Sequence, residues 1–292
     1  MINLNIYRFM LLNKAKEQQV LSFYNEDEDL LDTMNDFCGY IHQNIRGYID
    51  NQGKYRTFTL SDLQNKNSAN RTISGYFDSA YTGEKGKIKD RKTNKLKFDI
   101  KGVDLVSKDF FYLIHVPKGS KIGFLIVQKK ENHGVKSIFE NAFNNFMRTK
   151  GVSNFLLELR QAPPRYFIEN YLEFGKLKEF KLIENDLLLG REERVFKLNN
   201  VMNEGQNLKD ILLELFNTFS SSNEKIPFLN KGEYDEITFV LGINGSTKTF
   251  YVKNQEKIRS NVDVTSLVEY DEGEPTTESL IKISLDIIRQ AS

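Results

Sequence analysis

Seven cations, Lys85, Lys87, Lys89, Arg91, Lys92, Lys95 and Lys97, crowd into 13 consecutive positions, and several of them recur at every second residue. In an extended strand alternate side chains project to one face, so this spacing makes a comb of positive charge able to straddle a phosphate backbone. Each phosphate neutralised in this way releases condensed counterions, which makes such contact independent of sequence and steeply dependent on salt. Tyr76, Phe77 and Tyr81 lie just upstream and offer aromatic planes on which unpaired bases could stack. The plain alternative is a solvated hairpin tip, because charge on exposed loops is ordinary. Lys129 with Lys130, Lys118 with Lys121, and Lys136 with Arg148 and Lys150 enlarge the basic patch if folding brings them to one face.

A second chemistry is written in Asp78 with Asp99 and Lys101. Two carboxylates followed by an x-lysine step is the pattern by which metal-dependent nucleases hold Mg²⁺ and steady an attacking water. In a chain that is 28% charged, however, such a triplet arises readily by chance. Glu158 and Arg160 read as an exposed ion pair. The histidines are His42, His115 and His133; the first falls in an expected helix and the second in an expected core strand, where a structural role outweighs one as base or ligand. No HExxH, phosphate-cradling glycine loop, nucleophile elbow or dinucleotide fingerprint occurs. The expected site is therefore phosphate contact by Lys85, Lys87, Lys89, Arg91, Lys92, Lys95, Lys97, Lys129 and Lys130. It requires no catalytic residue and no cofactor, Mg²⁺ entering only with the nuclease alternative.

The formal net charge of +1 conceals a segregation. Residues 85–150 hold 16 Lys/Arg against 6 Asp/Glu, whereas the rest of the chain holds 25 against 34. A partner meets the local excess rather than the sum. Cys38 is the lone cysteine, which excludes an internal disulfide or a cysteine zinc cluster and fits a reducing, cytoplasmic compartment. Residues 1–12 lack a basic start followed by a continuous apolar core, so they read as a strand rather than a leader. No stretch approaches the roughly 20 apolar residues of a membrane span.

The elements that must position these groups follow from periodicity. With 292 residues and 39% hydrophobic content, the chain can bury one large core or two modest ones. Residues 2–12 alternate as a strand, and residues 26–48 carry apolar positions three and four apart behind an acidic run that suits a helix N-terminus. Strands are expected over 55–60, 72–81 and 96–100, with a polar loop over 64–70 and an exposed tip before residue 96. Residues 110–116 and 122–128 flank Pro117-Lys118-Gly119-Ser120 and make a hairpin at the centre of the sheet. One apolar stripe then predicts a helix over 135–147 ended by Gly151. Further strands are expected over 155–159, 177–183 and 262–268, with helices over 165–174 and 208–219. Asn244-Gly245 marks a second hairpin, over 237–243 and 247–252. A last helix runs from Pro275-Thr276-Thr277 to Gln290 with Ile281, Leu285 and Ile288 on one face.

This order of elements resembles that of bacterial phage-exclusion and abortive-infection proteins, RexA-like and AbiL-type. The passages that carry the likeness are the hairpin over 110–128, the aromatic helix after it, Tyr171-Leu172, Gly175, Leu177 and Phe180, and the late hairpin before a terminal helix. The resemblance implies a cytoplasmic antiviral defence protein and, as for RexA-like members, a dimer that contacts DNA without strong sequence preference. It carries over no functional residue, since no motif is matched position by position. The sequence thus predicts an α+β fold of mixed, mainly antiparallel sheets covered by helices in two lobes. Residues 1–190 hold the basic central segment, and residues 206–292 form a C-terminal α+β subdomain. The expected function is non-enzymatic binding of duplex DNA in anti-phage defence. The alternatives are a metal-dependent nuclease or toxin, and a protein-interaction subunit whose acidic stretch over 263–278 meets a basic partner while the basic segment balances charge within a homo-oligomer.

Overall fold

The computed structural model describes residues 2–25, 27–49, 53–130, 135–162, 176–186, 190–196, 236–243, 246–251 and 261–291. The chain divides into two compact units, Met1–Arg160 with Asn261–Ile288, and Gln161–Ser260 with Arg289–Ser292. In chain order the first unit starts with β1 (Asn3–Leu12), α1 (Leu30–Gln43), β2 (Arg46–Ile49), β3 (Tyr55–Leu60), β4 (Asn65–Asn67) and β5 (Thr72–Tyr81). It continues with β6 (Gly86–Lys89), β7 (Leu96–Ile100), β8 (Val106–His115), β9 (Gly123–Lys129), α2 (Lys136–Thr149) and β10 (Leu156–Gln161). The second unit contributes β11 (Lys176–Asp186), β12 (Gly190–Phe196), β13 (Glu236–Ile243) and β14 (Ser246–Tyr251). The chain then returns to the first with β15 (Asn261–Asp263), β16 (Tyr270–Asp271), β17 (Glu274–Pro275) and α3 (Thr277–Ala291).

The main sheet has nine strands in the order β10-β1-β9-β8-β5-β3-β2, with β15 beside β1 and β4 beside β5. The β8–β9 hairpin is central, as its continuous apolar runs require. Gly123 opens β9 opposite Phe9, where an added Cβ would stand 2.2 Å from the ring, so close approach demands glycine there. One face of the sheet packs against α1 and α2 through rings: Phe37 meets Phe139 and Phe143 edge to face at 5.5 and 5.3 Å, and Phe77 stacks on Tyr112 at 3.8 Å. Cys38 sits in this layer and accepts a hydrogen bond from the Tyr112 hydroxyl at 3.6 Å. Burial pushes its thiol up to about 12, so it is a packing residue rather than a nucleophile. The opposite face is also buried at Leu4, Ile6, Phe111, Leu113 and Ile126. There the Tyr76 hydroxyl shares a 3.0 Å hydrogen bond with Thr277 at the start of α3.

The second unit is a four-stranded antiparallel sheet in the order β12-β11-β13-β14. Phe239 and Phe250 stack at 5.1 Å across β13 and β14, which pair with Ile243 opposite Ser246. The helices expected over 165–174 and 208–219 lie outside the described residues. No helix among the described residues is long and apolar enough to cross a membrane.

Four elements depart from the sequence expectation. The strand expected over 262–268 is reduced to β15, because the chain turns after Asp263, with Leu267 N and Val268 N both donating to Val264 O at 2.9 and 3.2 Å. The first helix stops at Gln43 instead of running to residue 48, because residues 46–49 pair with β3 as an edge strand that leaves Ile45 and Ile49 exposed. The polar loop over 64–70 contains β4, whose backbone pairs with β5 although its side chains are exposed. In α3 the fully buried positions are Leu280, Ser284, Ile287 and Ile288, while Ile281 and Leu285 are half-buried.

The N-terminus of α1 is held by more than its dipole. Asp29 caps it by accepting from Leu31 N at 2.9 Å, and the Arg71 guanidinium grips both Asp29 oxygens at 2.9 and 2.8 Å. Burial raises the Asp29 pKa, but the bonds from Arg71 and Leu31 outweigh it and hold the carboxyl below its usual value. The stabilisation is therefore complete above the unfolded-state pKa of about 3.9 and is lost as pH falls through the lower folded value. Asp29→Ala is expected to cost about 2–4 kcal/mol at pH 7, from the lost cap and the half-buried cation left unpaired. The gap between variant and wild type in urea melts should close towards strongly acid pH. An unchanged urea midpoint at pH 7 would remove the cap from the stability account.

Candidate nucleic-acid interface

All seven clustered cations, Lys85 to Lys97, are exposed, and they are carried by an arm over residues 84–104. The core of the arm is a two-stranded antiparallel sheet of its own, β6 with β7. It is inserted between β5 and β8, whose facing ends are Tyr81 and Val106. Its root is pinned: Gly83 N donates to Gly102 O at 2.8 Å, Lys101 N to the Asp104 carboxylate at 2.7 Å, and Tyr81 hydrogen-bonds Glu84. Its tip is closed by Asp90, which accepts from Lys92 N, Thr93 N and the Thr93 hydroxyl at 3.0, 2.9 and 3.0 Å. The Thr93 amide first, then Lys97, bring the Asp90 pKa down to about 2, so the tip keeps its anchor throughout the physiological range.

The comb is not one strand. Lys87 and Lys89 share β6, Arg91 and Lys92 occupy the turn, Lys95 precedes β7, and Lys97 sits at a bulge between the strands. Lys85 precedes β6. The cations thus wrap around a hairpin rather than lining a single edge. Four carboxylates, Glu84, Asp90, Asp99 and Asp104, stand against eight cations over residues 84–104. Three of the four are engaged in root or tip, and Asp99 faces Lys87 in register. Of the seven, Lys97 is ion-paired, with Asp90 at 3.1 Å; the other six enter no ion pair among the described residues. The register sets Ile88 beside Phe98 on the hairpin's other face, where they are 50% and 54% exposed.

The further basic clusters separate. Lys129 ends β9 and Lys130 follows it, and the antiparallel register with β8 places both at the arm's end of the sheet. Lys118 and Lys121 lie in the turn at the far end of β8, a ten-residue strand and so roughly 30 Å away. Lys150 is held by Asp36 at 2.5 Å and lies over the Phe146 ring, on the helical layer. Of these clusters, Lys129 and Lys130 stand at the arm's end of the sheet, whereas Lys118 with Lys121 and Lys150 do not. The aromatic expectation also changes. Phe77 is fully buried in the core, Tyr81 is buried with its hydroxyl on Glu84, and only Tyr76 reaches an open surface.

Asp78 and Asp99 belong to different sheets, the first in β5 of the main sheet and the second in β7 of the arm. Among the described residues no group of three or more His, Cys, Asp and Glu is placed to hold a metal ion. His115 is half-buried, its pKa lowered by burial and then by Arg71, and its Nδ1 has no hydrogen-bond partner. No hydrogen bond among the described residues joins His115 or His42 to a nucleophile. His133 lies outside the described residues.

A feature that sequence reading missed is an open cleft of about 1080 Å³ in the first unit. Ser61, Tyr76, Ser107, Asp109, Gln128 and Lys130 line it, together with Lys108, Lys129 and Glu274 at β17. Asp109 stands directly opposite Asp78 across β8 and β5. Ser61 donates to Asp109 and Ser107 to Asp78. Alternation in β8 would have put Ser107 and Asp109 on one face, but only the strand register pairs Asp109 with Asp78. Searches of protein-family profiles and of curated proteins found no match to the chain.

Proposed function

We propose that this protein binds nucleic acid through the arm, contacting the phosphate backbone of duplex DNA without reading sequence. The observation that carries the reading is the arm itself: a pinned, self-contained two-stranded ribbon with an excess of exposed cations, six of the seven in no ion pair among the described residues. A two-stranded ribbon is narrow enough for the major groove. Flexible lysines contact phosphates as point charges and carry no base preference. The half-exposed Ile88–Phe98 pair gives the ribbon an apolar side, which suits contact with an opened base step. The setting we propose is bacterial anti-phage defence, on the resemblance of element order, with action through positioned charge rather than bond chemistry.

The test is a salt titration of binding to a mixed-sequence duplex by fluorescence anisotropy. Contact with about five phosphates predicts a slope of log K against log salt of roughly −4 to −5. Unrelated duplexes of equal length should give the same slope. A flat salt response, or strong discrimination between sequences, would refute the reading.

A further inference from the structure

We propose that Ile88 and Phe98 form a wedge that enters a base step, so that the arm's preferred ligand is a duplex already kinked, nicked or bulged rather than a straight one. The inference rests on the reading of the arm as a phosphate-binding ribbon and names the class of DNA that the ribbon takes.

The two side chains stand opposite each other across β6 and β7 and are 50% and 54% exposed. By alternation Ile100 shares the face of Phe98, and it lies opposite Gly86, where an added Cβ would be 3.8 Å from Ile100 Cδ1. Ile100 is half-buried there, so the apolar row is sheltered towards the pinned root and open at Ile88 and Phe98. The Phe98 ring meets no other ring among the described residues. The register shifts between Ile88 and Lys89, and such an irregularity adds local twist and re-aims the neighbouring side chains. A two-stranded sheet standing alone is marginal in water unless its apolar face is covered. The arm therefore gains order from a ligand that covers this pair.

Charge identifies the ligand. Lys87 and Lys89 bracket Ile88 in β6, and Lys97 precedes Phe98 in β7. Lys97 is paired with Asp90, while Lys87 and Lys89 enter no ion pair among the described residues. An occupant must then present anions outside and an apolar interior between them. Stacked bases framed by phosphates have that order. The ammonium groups meet phosphates on either side of a step, and the flat phenyl ring takes the gap in the stack. Apolar side chains inserted in this way unstack the step and kink the duplex by about 20–90°.

A lipid surface fits less well. It takes apolar residues from one face, over an area that sets the strength of binding. Leu96, 55% exposed, stands opposite Lys89 and so shares the other face of the ribbon, and Val103 and Leu105 follow β7 outside its paired residues. The exposed apolar groups of the arm therefore do not form one broad face. The Ile88–Phe98 pair is a two-residue feature, matched to one base step.

The experiment compares two short duplexes of the same sequence, one intact and one with an unpaired bulge at its centre. Affinity for the full chain is read by anisotropy across a salt series, and bending by energy transfer between dyes on the duplex ends. Unstacking is the cost of entry and a bulge has already met it, so the wild type should hold the bulged duplex at least about tenfold tighter and shorten the end-to-end distance of both. Ile88→Thr with Phe98→Thr removes the apolar pair, keeps β-branched residues that favour a strand, and leaves every cation in place. This variant should keep the salt slope while losing both the bend and the preference. If it fails to fold, Phe98→Thr alone is read for the same loss. A wild type that binds both duplexes equally without bending them, or a double variant that still bends and prefers the bulge, would overturn the wedge and leave the arm's phosphate contacts standing. A flat salt response on both duplexes would refute the arm itself and the wedge with it. Wild-type affinity for phosphatidylserine vesicles above that for either duplex, lost in the threonine variant, would assign the pair to a lipid surface and overturn the wedge.

Discussion

Replacing Lys87, Lys89 and Arg91 together with glutamate is expected to abolish retention of duplex DNA in a gel shift. Sequence-independent binding typically has a dissociation constant of about 10⁻⁴ to 10⁻⁶ M at physiological salt, and each lost phosphate contact reduces both affinity and salt slope. Three reversals remove three contacts and place three anions near the polyanion, so affinity should fall at least about a hundredfold, beyond what a gel resolves. The residual slope should be shallower by about three contacts' worth. All three side chains are exposed and in no ion pair among the described residues, so thermal stability should move by no more than about 0.5 kcal/mol. That combination separates a binding surface from a structural one. Unchanged retention at low salt would end the assignment of the arm.

The second large effect lies in the core. Phe77 is fully buried, stacked on Tyr112 at 3.8 Å and touching the rings of Phe58 and Phe139 at 4.9 and 5.6 Å. It joins β5 to β3, β8 and α2 at one point. Phe77→Ala removes a ring from a site whose neighbours are themselves rigid rings, so the cavity collapses poorly and the cost should be about 3–5 kcal/mol. Against a typical domain stability of about 5–15 kcal/mol this is a severe loss, visible as a lowered urea midpoint with an unchanged slope. Phe77→Leu, which keeps most of the apolar volume, should cost less and should leave DNA retention at the wild-type level. Loss of DNA binding by the leucine variant with the midpoint preserved would instead make Phe77 a base-stacking residue and contradict its burial.

The two experiments also divide the molecule as the fold does. The arm is set on the sheet by the backbone pin between Gly83 and Gly102 and closed at its tip by the Asp90 turn, so its charge can be altered without touching the core. The core is set by interlocking rings and tolerates little change.

Much of the architecture is legible from residue order, because local pattern dictates it. Strands β3 and β5 run over the expected residues 55–60 and 72–81, since Thr, Tyr and Phe favour the pleated chain and the bounding polar residues stop it. The central hairpin follows from two apolar runs around a Pro-Lys-Gly-Ser turn, and α2 from one aromatic stripe that ends before Gly151, whose φ of +78° suits glycine. Lys87, Lys89 and Arg91 were visible as a basic cluster for the same reason, as adjacency along the chain survives folding.

What the sequence could not state was which distant residues meet. Whether residues 46–49 continue a helix or form an edge strand depends on β3 being available to pair, a long-range fact. Asp109 faces Asp78 because β5 and β8 adopt one register, and a slip of one residue would have sent one of them to the other face. The same register buried Phe77 and left Tyr76 at the cleft. Sequence by itself determined the elements and the local charge, which arise from neighbouring residues; tertiary structure alone decided the cleft, the paired carboxylates and the separation of the basic clusters, which arise from strand pairing across dozens of residues.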